Sequence, residues 1–187
     1  MTLNYFLLVI PQNRFCEEEL HDLKWVLNQG PGKCVVLSKS GKEAKGENKT
    51  ILQPDGMLVD WNRHLLGKQK YDAVIVIGGK GSRSSIWEDP ILPQILTDHF
   101  RASKILGAFD LSIVALARAG LISSCEVSAP KDEKCLKELE TVGAYPEEKA
   151  LIVVNKIITS NDTSSGKAFG EIILNLCLLY TSDAADE

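Results

Sequence analysis

The stretch KILGAFDLSIVALARAGL, Lys104 to Leu121, climbs through apolar residues to one carboxylate and then turns at once into a helical pattern. Ile105 to Phe109 contains no polar side chain, the mark of a strand buried on both faces. Leu111 to Ala119 reads as a helix, stopped by Gly120. Asp110 stands at the junction. That is the position of a nucleophile elbow, where a tight strand-to-helix turn lifts one side chain above a sheet. The free N–H groups of a helix start also favour negative charge there. A plain N-cap is an equally ordinary role for aspartate, and this stretch by itself leaves both open.

The same punctuation recurs along the chain. Asn4 to Ile10, Cys34 to Leu37 and Ala73 to Ile77 read as further buried strands, and Ala73 to Ile77 closes on Gly78-Gly79-Lys80-Gly81. Glu17 to Asn28 has Leu20, Leu23 and Leu27 at helical spacing. Pro90 suits the start of a helix reaching Arg101. Glu133 to Val142 and Ser165 to Leu176 read as helices, and Leu151 to Val154 with Ile157 to Thr159 as a hairpin about Asn155-Lys156. Lys39 to Lys49 reads as a solvated loop, and Ile51 to Val59 as two short strands about Pro54-Asp55-Gly56. Strands alternating with helices predict an α/β three-layer sandwich, a mostly parallel sheet with helices on both faces, flavodoxin-like. Residues 1–176 are taken as one domain.

Composition narrows the class. The 187 residues are 44% hydrophobic and 25% charged, with a net charge of -4, so nothing electrostatic favours nucleic acid. No apolar run reaches the roughly 20 residues of a membrane span. Met1 to Ile10 lacks a basic flank and a cleavage site, and reads as a strand rather than a leader. Five scattered cysteines without a C-x-x-C suit reduced thiols in a cytoplasm. Residues 177–187, CLLYTSDAADE, resemble a translated sequencing adapter and are set aside as a non-native tail.

In a parallel sheet, ligands bind at the carboxyl ends of the strands. Pro11 to Glu19, Gly78 to Gly81 and Asp110 all fall at such ends. Gly78 and Gly79 let backbone N–H groups face a ligand, although strand-end glycines also serve simple turns. GGKGS lacks phosphate-loop spacing, and no G-x-G-x-x-G follows the first strand. Glu17, Glu18 and Glu19 form an acidic first helical turn, which the helix dipole alone accounts for, with room for one of them to point inward. No His, Cys or carboxylate cluster has metal-ligand spacing, and no cofactor is expected.

Four segments in order resemble the ThiJ/PfpI family, which has the class I glutamine-amidotransferase-like fold. They are RFCEEEL (Arg14 to Leu20), YDAVIVIGGKG (Tyr71 to Gly81), GAFDLSIVALARAGLI (Gly107 to Ile122) and the closing stretch from Val142 to Leu176. The resemblance places the family's nucleophilic cysteine on Asp110 and its elbow glutamate on Glu19. Leu111 falls where some members carry histidine, Ser112 where they carry glycine, and Cys16 where an acidic residue lines the pocket. A histidine of some members falls near Ala144 and Tyr145, and none of His21, His64 or His99 matches a catalytic position. The resemblance implies a homodimer and a small-molecule ligand or substrate.

Thiol-based glyoxalase, deglycase or peptidase chemistry is not expected of a carboxylate. Two roles remain for Asp110 facing Glu19. The pair can share a proton as a general acid/base couple for hydration, hydrolysis or proton abstraction beside a carbonyl. The Gly79 and Leu111 amides would then be the oxyanion donors, with Gly78, Cys16, Lys80, Ser112 and Tyr145 around the pocket. Alternatively Asp110 mimics, in charge and shape, a cysteine oxidised to the sulfinate, as suits a binding or scaffold module. Cys16, near a helix start, is expected either to have a lowered thiol pKa or to be buried filler.

Overall fold

The computed structural model describes residues 3–183. In chain order its elements are β1 (Asn4–Val9), β2 (Asn13–Phe15), α1 (Glu17–Leu27), β3 (Gly32–Ser38), β4 (Ala44–Gly46), β5 (Ile51–Leu52), β6 (Gly56–Met57) and β7 (Ala73–Val76). Then come α2 (Ser82–Ser85), α3 (Leu92–Arg101), β8 (Ile105–Phe109), α4 (Ile113–Arg118), β9 (Glu126–Ser128), α5 (Glu133–Thr141), β10 (Tyr145–Glu147), β11 (Leu151–Val154), β12 (Ile157–Ser160) and α6 (Gly166–Asp183). Short 3-10 turns cover Leu58–His64, Asp110–Ser112 and Thr163–Ser165.

The main sheet has seven strands in the order β11-β12-β8-β7-β1-β3-β6. Only the β11–β12 pair is antiparallel. Its two-residue link carries Asn155 at φ +53°, the left-handed conformation that asparagine tolerates in tight hairpins. Side chains of successive strand residues go to opposite layers, as the pleat requires. Phe6, Leu8, Ile75 and Ile77 pack with Leu23, Leu27, Phe169 and Ile173 of α1 and α6. Leu7, Val9, Val74 and Val76 pack with Leu96, Leu116 and Leu139 of α3, α4 and α5. Burial on both faces explains why these strands read as unbroken apolar runs.

Gly107 sets how closely α6 approaches the sheet. A Cβ on it would stand 2.6 Å from the Phe169 ring. The bare backbone lets that ring lie on β8 and stack on Phe109, with centroids 4.2 Å apart.

Three segments depart from the sequence reading. The lysine-rich stretch from 39 to 49 contains β4, which joins β2 and β5 in a separate three-stranded sheet. β5 and β6 are not partners: β5 pairs with β4, and β6 pairs with β3. α6 runs past the expected end at Leu176, so 177–183 of the stretch set aside continue the helix; 184–187 of it, like Met1 and Thr2, lie outside the described residues. Among the described residues no helix is long and apolar enough to cross a membrane.

Phe169→Ala removes a fully buried ring from the α6–sheet seam. It is expected to lower the unfolding free energy by about 3–5 kcal/mol in a urea titration. A loss below about 1 kcal/mol would place the seam's stability elsewhere.

Candidate functional site

The carboxyl ends of β1, β7 and β8 converge where the sequence reading places the site. Asp110 follows β8 with φ +50°, a conformation unfavourable for a side-chain-bearing residue unless its surroundings hold it. They do. The Ser112 hydroxyl donates to the Ile77 carbonyl at 2.6 Å and sits 2.8 Å from the Ser82 hydroxyl. The Trp87 indole donates to the Leu111 carbonyl at 2.8 Å. Leu111 itself is buried in the core under α4. The turn is thus bolted on both sides of Asp110, whose own side chain remains half-buried.

Glu19 enters from α1. It is 1% exposed, and its Oε2 accepts the Gly78 amide at 2.8 Å. A Cβ on Gly78 would meet the Phe109 carbonyl oxygen at 2.7 Å, the Asp110 Cβ at 2.9 Å and Glu19 Oε2 at 3.0 Å. Asp110 Cβ and Glu19 Oε2 therefore flank one point, within about 6 Å of each other, close enough for the Asp110 charge to disfavour ionisation of Glu19. Gly79, at φ +120°, has no room for a side chain either: a Cβ would stand 2.3 Å from the Arg14 carbonyl oxygen. The Cys16 amide donates to the Gly78 carbonyl at 3.0 Å. The Arg14 to Cys16 backbone is thereby pressed onto the glycines.

The electrostatics follow from burial. Desolvation, then the charges of Asp110 and Glu47, push the Glu19 carboxyl from 4.5 up to about 8, against the pull of the Gly78 amide. Glu19 therefore carries a proton at neutral pH. Burial also raises the Asp110 pKa, helped by Glu47 and Asp132, while the Leu111 and Gly79 amides act on its carboxyl in the opposite direction. Arg83 on α2 pairs with Asp132, the residue that caps α5 by accepting the Cys135 amide at 2.9 Å, and its charge is felt at Asp110.

Several expected members of the site behave differently. Cys16 is 6% exposed, and burial followed by the Glu19 charge drives its thiol up to about 12. Of the two expectations for Cys16, the buried filler holds and the lowered thiol pKa does not, because desolvation and the Glu19 carboxyl outweigh the N–H groups of the helix start. Ser112 is fully buried, its hydroxyl spent on Ile77 and Ser82, so it fastens the elbow and does not line an open pocket. Lys80 contributes its amide, which donates to Glu47 Oε1 at 2.8 Å. Tyr145 lies on β10 opposite Glu126, with its ring 57% exposed, and does not plug the elbow. The hollows of about 690, 560 and 550 Å³ on the surface are lined by residues other than Asp110, Glu19 and Gly79.

Sequence reasoning missed Glu47. It follows β4, and its amide donates to the Phe15 carbonyl at 2.9 Å. Glu17 Oε1 accepts the Asn48 and Thr50 amides at 2.8 and 3.3 Å, pinning this turn to α1. A glutamate in a lysine-rich polar stretch gives no sign of facing a site until β4 pairs with β2.

An α/β sandwich with a bolted strand-to-helix elbow and a buried carboxyl from the first helix defines the class. The chain belongs to the DJ-1/PfpI family, whose pattern matches residues 6–176. It is 26% identical over 168 residues to an uncharacterised protein of Methanocaldococcus jannaschii, covering 90% of this chain and 80% of that one. A ThiJ/PfpI domain protein from Brachyspira murdochii matches the fold with a TM-score of 0.82 at 20% identity, covering 95% of this chain and 98% of that one. Drosophila melanogaster DJ-1beta matches at 0.78 and 20%, covering 94% and 91%. An oxidised DJ-1 of Toxoplasma gondii matches at 0.72 and 19%, covering 93% and 90%.

The raised Glu19 pKa has a definite sign in stability. The folded state holds a proton that the unfolded chain releases near 4.5. The associated stability is complete below pH 4.5 and is lost as pH rises through about 8. Between pH 5 and 9 the unfolding free energy is expected to fall by on the order of 3–5 kcal/mol. Glu19→Gln, followed by urea unfolding across the same range, should flatten most of that slope.

Proposed function

We propose that this chain is a DJ-1/PfpI-family binding or scaffold module in which Asp110 occupies the place of the family's nucleophilic cysteine. Its carboxylate then holds permanently the charge and shape that a cysteine reaches only on oxidation to the sulfinate. The observation that carries this reading is the company Asp110 keeps. The Leu111 and Gly79 amides, which would otherwise receive a developing oxyanion, already act on the Asp110 carboxyl. A catalyst needs such donors aimed at the substrate. Cys16 does not supply a replacement nucleophile, because a thiol titrating near 12 is un-ionised at neutral pH.

One observation favours acid/base chemistry as a second reading. A half-buried Asp110 beside a Glu19 that titrates near 8 is a proton-sharing pair poised near neutrality. In that reading the substrate is a small carbonyl compound, and the reaction a hydration, hydrolysis or lyase step. A homodimer and a reducing, cytoplasmic setting belong to either reading. The first is supported by Trp25 and Ile51 left exposed near α1, the second by Cys16, Cys34, Cys125 and Cys135, none of which is in a disulfide.

A screen of small aldehydes, ketones and esters at pH 7 separates the two. The module reading expects wild type and Asp110→Asn to be equally inactive, within twofold of buffer. Turnover by wild type that drops at least 100-fold in both Asp110→Asn and Glu19→Gln would replace it with the acid/base reading.

A further inference from the structure

The end of the sheet opposite Asp110 carries a second feature, independent of the elbow. Lys104 and Asp110 bracket β8, about 20 Å apart at the rise of a strand. Beside Lys104 a hollow of about 550 Å³ opens, walled in part by Phe100, Leu121 and Val154 and bearing Lys104 and Lys156. A smaller hollow of about 170 Å³ adjoins it and shares both lysines. The larger volume lies within the range of small-molecule sites.

The charge of this hollow runs against that of the chain. Acidic residues outnumber basic ones 25 to 21 overall, yet among the described residues no aspartate or glutamate lines the larger hollow. The nearest carboxylate is oversubscribed. Asp72 accepts the Tyr5 amide at 2.8 Å, pairs with Lys68 at 2.8 Å and lies 3.5 Å from the Lys104 ammonium. Lys156 has no carboxylate partner among the described residues. Its ammonium donates to the Ser103 carbonyl at 2.7 Å. Burial and then the neighbouring Lys104 lower its pKa, against a smaller opposing effect of Cys177. Lys156 is also held in place, since it forms half of the two-residue β11–β12 turn.

We propose that this hollow binds a small organic anion with an apolar tail, its carboxylate between Lys104 and Lys156 and its hydrocarbon against Phe100, Leu121 and Val154. The two ammonium groups fix the charged end, and the walls select for the tail. Neither part suffices alone, so a bare anion and a neutral amphiphile are both poor ligands.

Octanoate, 1-octanol and inorganic phosphate are the probes, read by titration calorimetry and by amide shifts in 15N-labelled protein. Octanoate is expected to bind below millimolar and to move the Leu121, Ser123 and Asn155 amides. 1-Octanol and phosphate should each bind at least tenfold more weakly. Lys104→Gln and Lys156→Gln should each weaken octanoate about tenfold, the scale of one charge-assisted hydrogen bond. Lys156→Gln lies at a surface turn, and an unchanged melting curve for it confirms an intact fold. Octanoate binding that is absent at millimolar concentration, unchanged in both variants, matched by 1-octanol or phosphate, or accompanied by shifts only elsewhere would overturn the proposal.

Discussion

The site depends on one crowded point, the missing side chain of Gly78. Three groups meet there: the Phe109 carbonyl and Asp110 from the end of β8, and the Glu19 carboxyl from α1. A methyl group at this position would collide with backbone on one side and with both acidic residues on the other. The hydrogen bond from the Gly78 amide to Glu19 is possible only because nothing shields that amide. It fixes the first helix against the central strand, and so aims a buried carboxyl at the elbow. Burial strips the Glu19 carboxyl of water, and the nearby Asp110 and Glu47 charges add to the cost of ionising it. That is why a carboxyl with an ordinary value of 4.5 titrates near 8.

Much of the surrounding structure holds this point rigid. Asp110 has an unfavourable left-handed backbone, and the adjoining side chains over-determine it. Ser112 and Trp87 anchor the turn from below, while Glu47 reaches Lys80 across the top. None of these three touches Asp110 through a hydrogen bond, yet each removes a way for the turn to relax. Four carboxyls (Glu19, Glu47, Asp110 and Asp132) act on one another here, with Arg83 as the cation most directly placed among them. The result is an elbow electrostatically set to keep a proton on Glu19. The hollow at the far end of β8 has the reverse balance, with two lysines and, among the described residues, no carboxylate. One strand thus connects an acidic end and a basic end.

The parts of this arrangement legible in the sequence are those written in long-period patterns. β1, β3, β7 and β8 announce themselves as uninterrupted apolar runs because both faces are covered. The position of Asp110 after β8, of Gly78 and Gly79 after β7, and of Glu19 on α1 follows from that order. What was illegible depends on short or polar pairings. β4 has three residues in a lysine-rich stretch, so neither it nor the approach of Glu47 could be read. Cys16 shows the limit of local rules. Its place at a helix start allows a lowered thiol pKa, but its own burial and the neighbouring Glu19 carboxyl decide otherwise. Ser112 and Tyr145 were assigned to the pocket through the family resemblance, and only packing distinguishes a buried bolt and an exposed ring from pocket walls.

The most direct test of this account follows the Glu19 carboxyl carbon by NMR as pH is varied, in wild type and in Asp110→Asn. A titration centred near pH 8 that moves to lower pH when the Asp110 charge is removed is the result expected. A Glu19 that titrates near 4.5, or that is indifferent to Asp110, would contradict the claim that the two carboxyls share one desolvated corner.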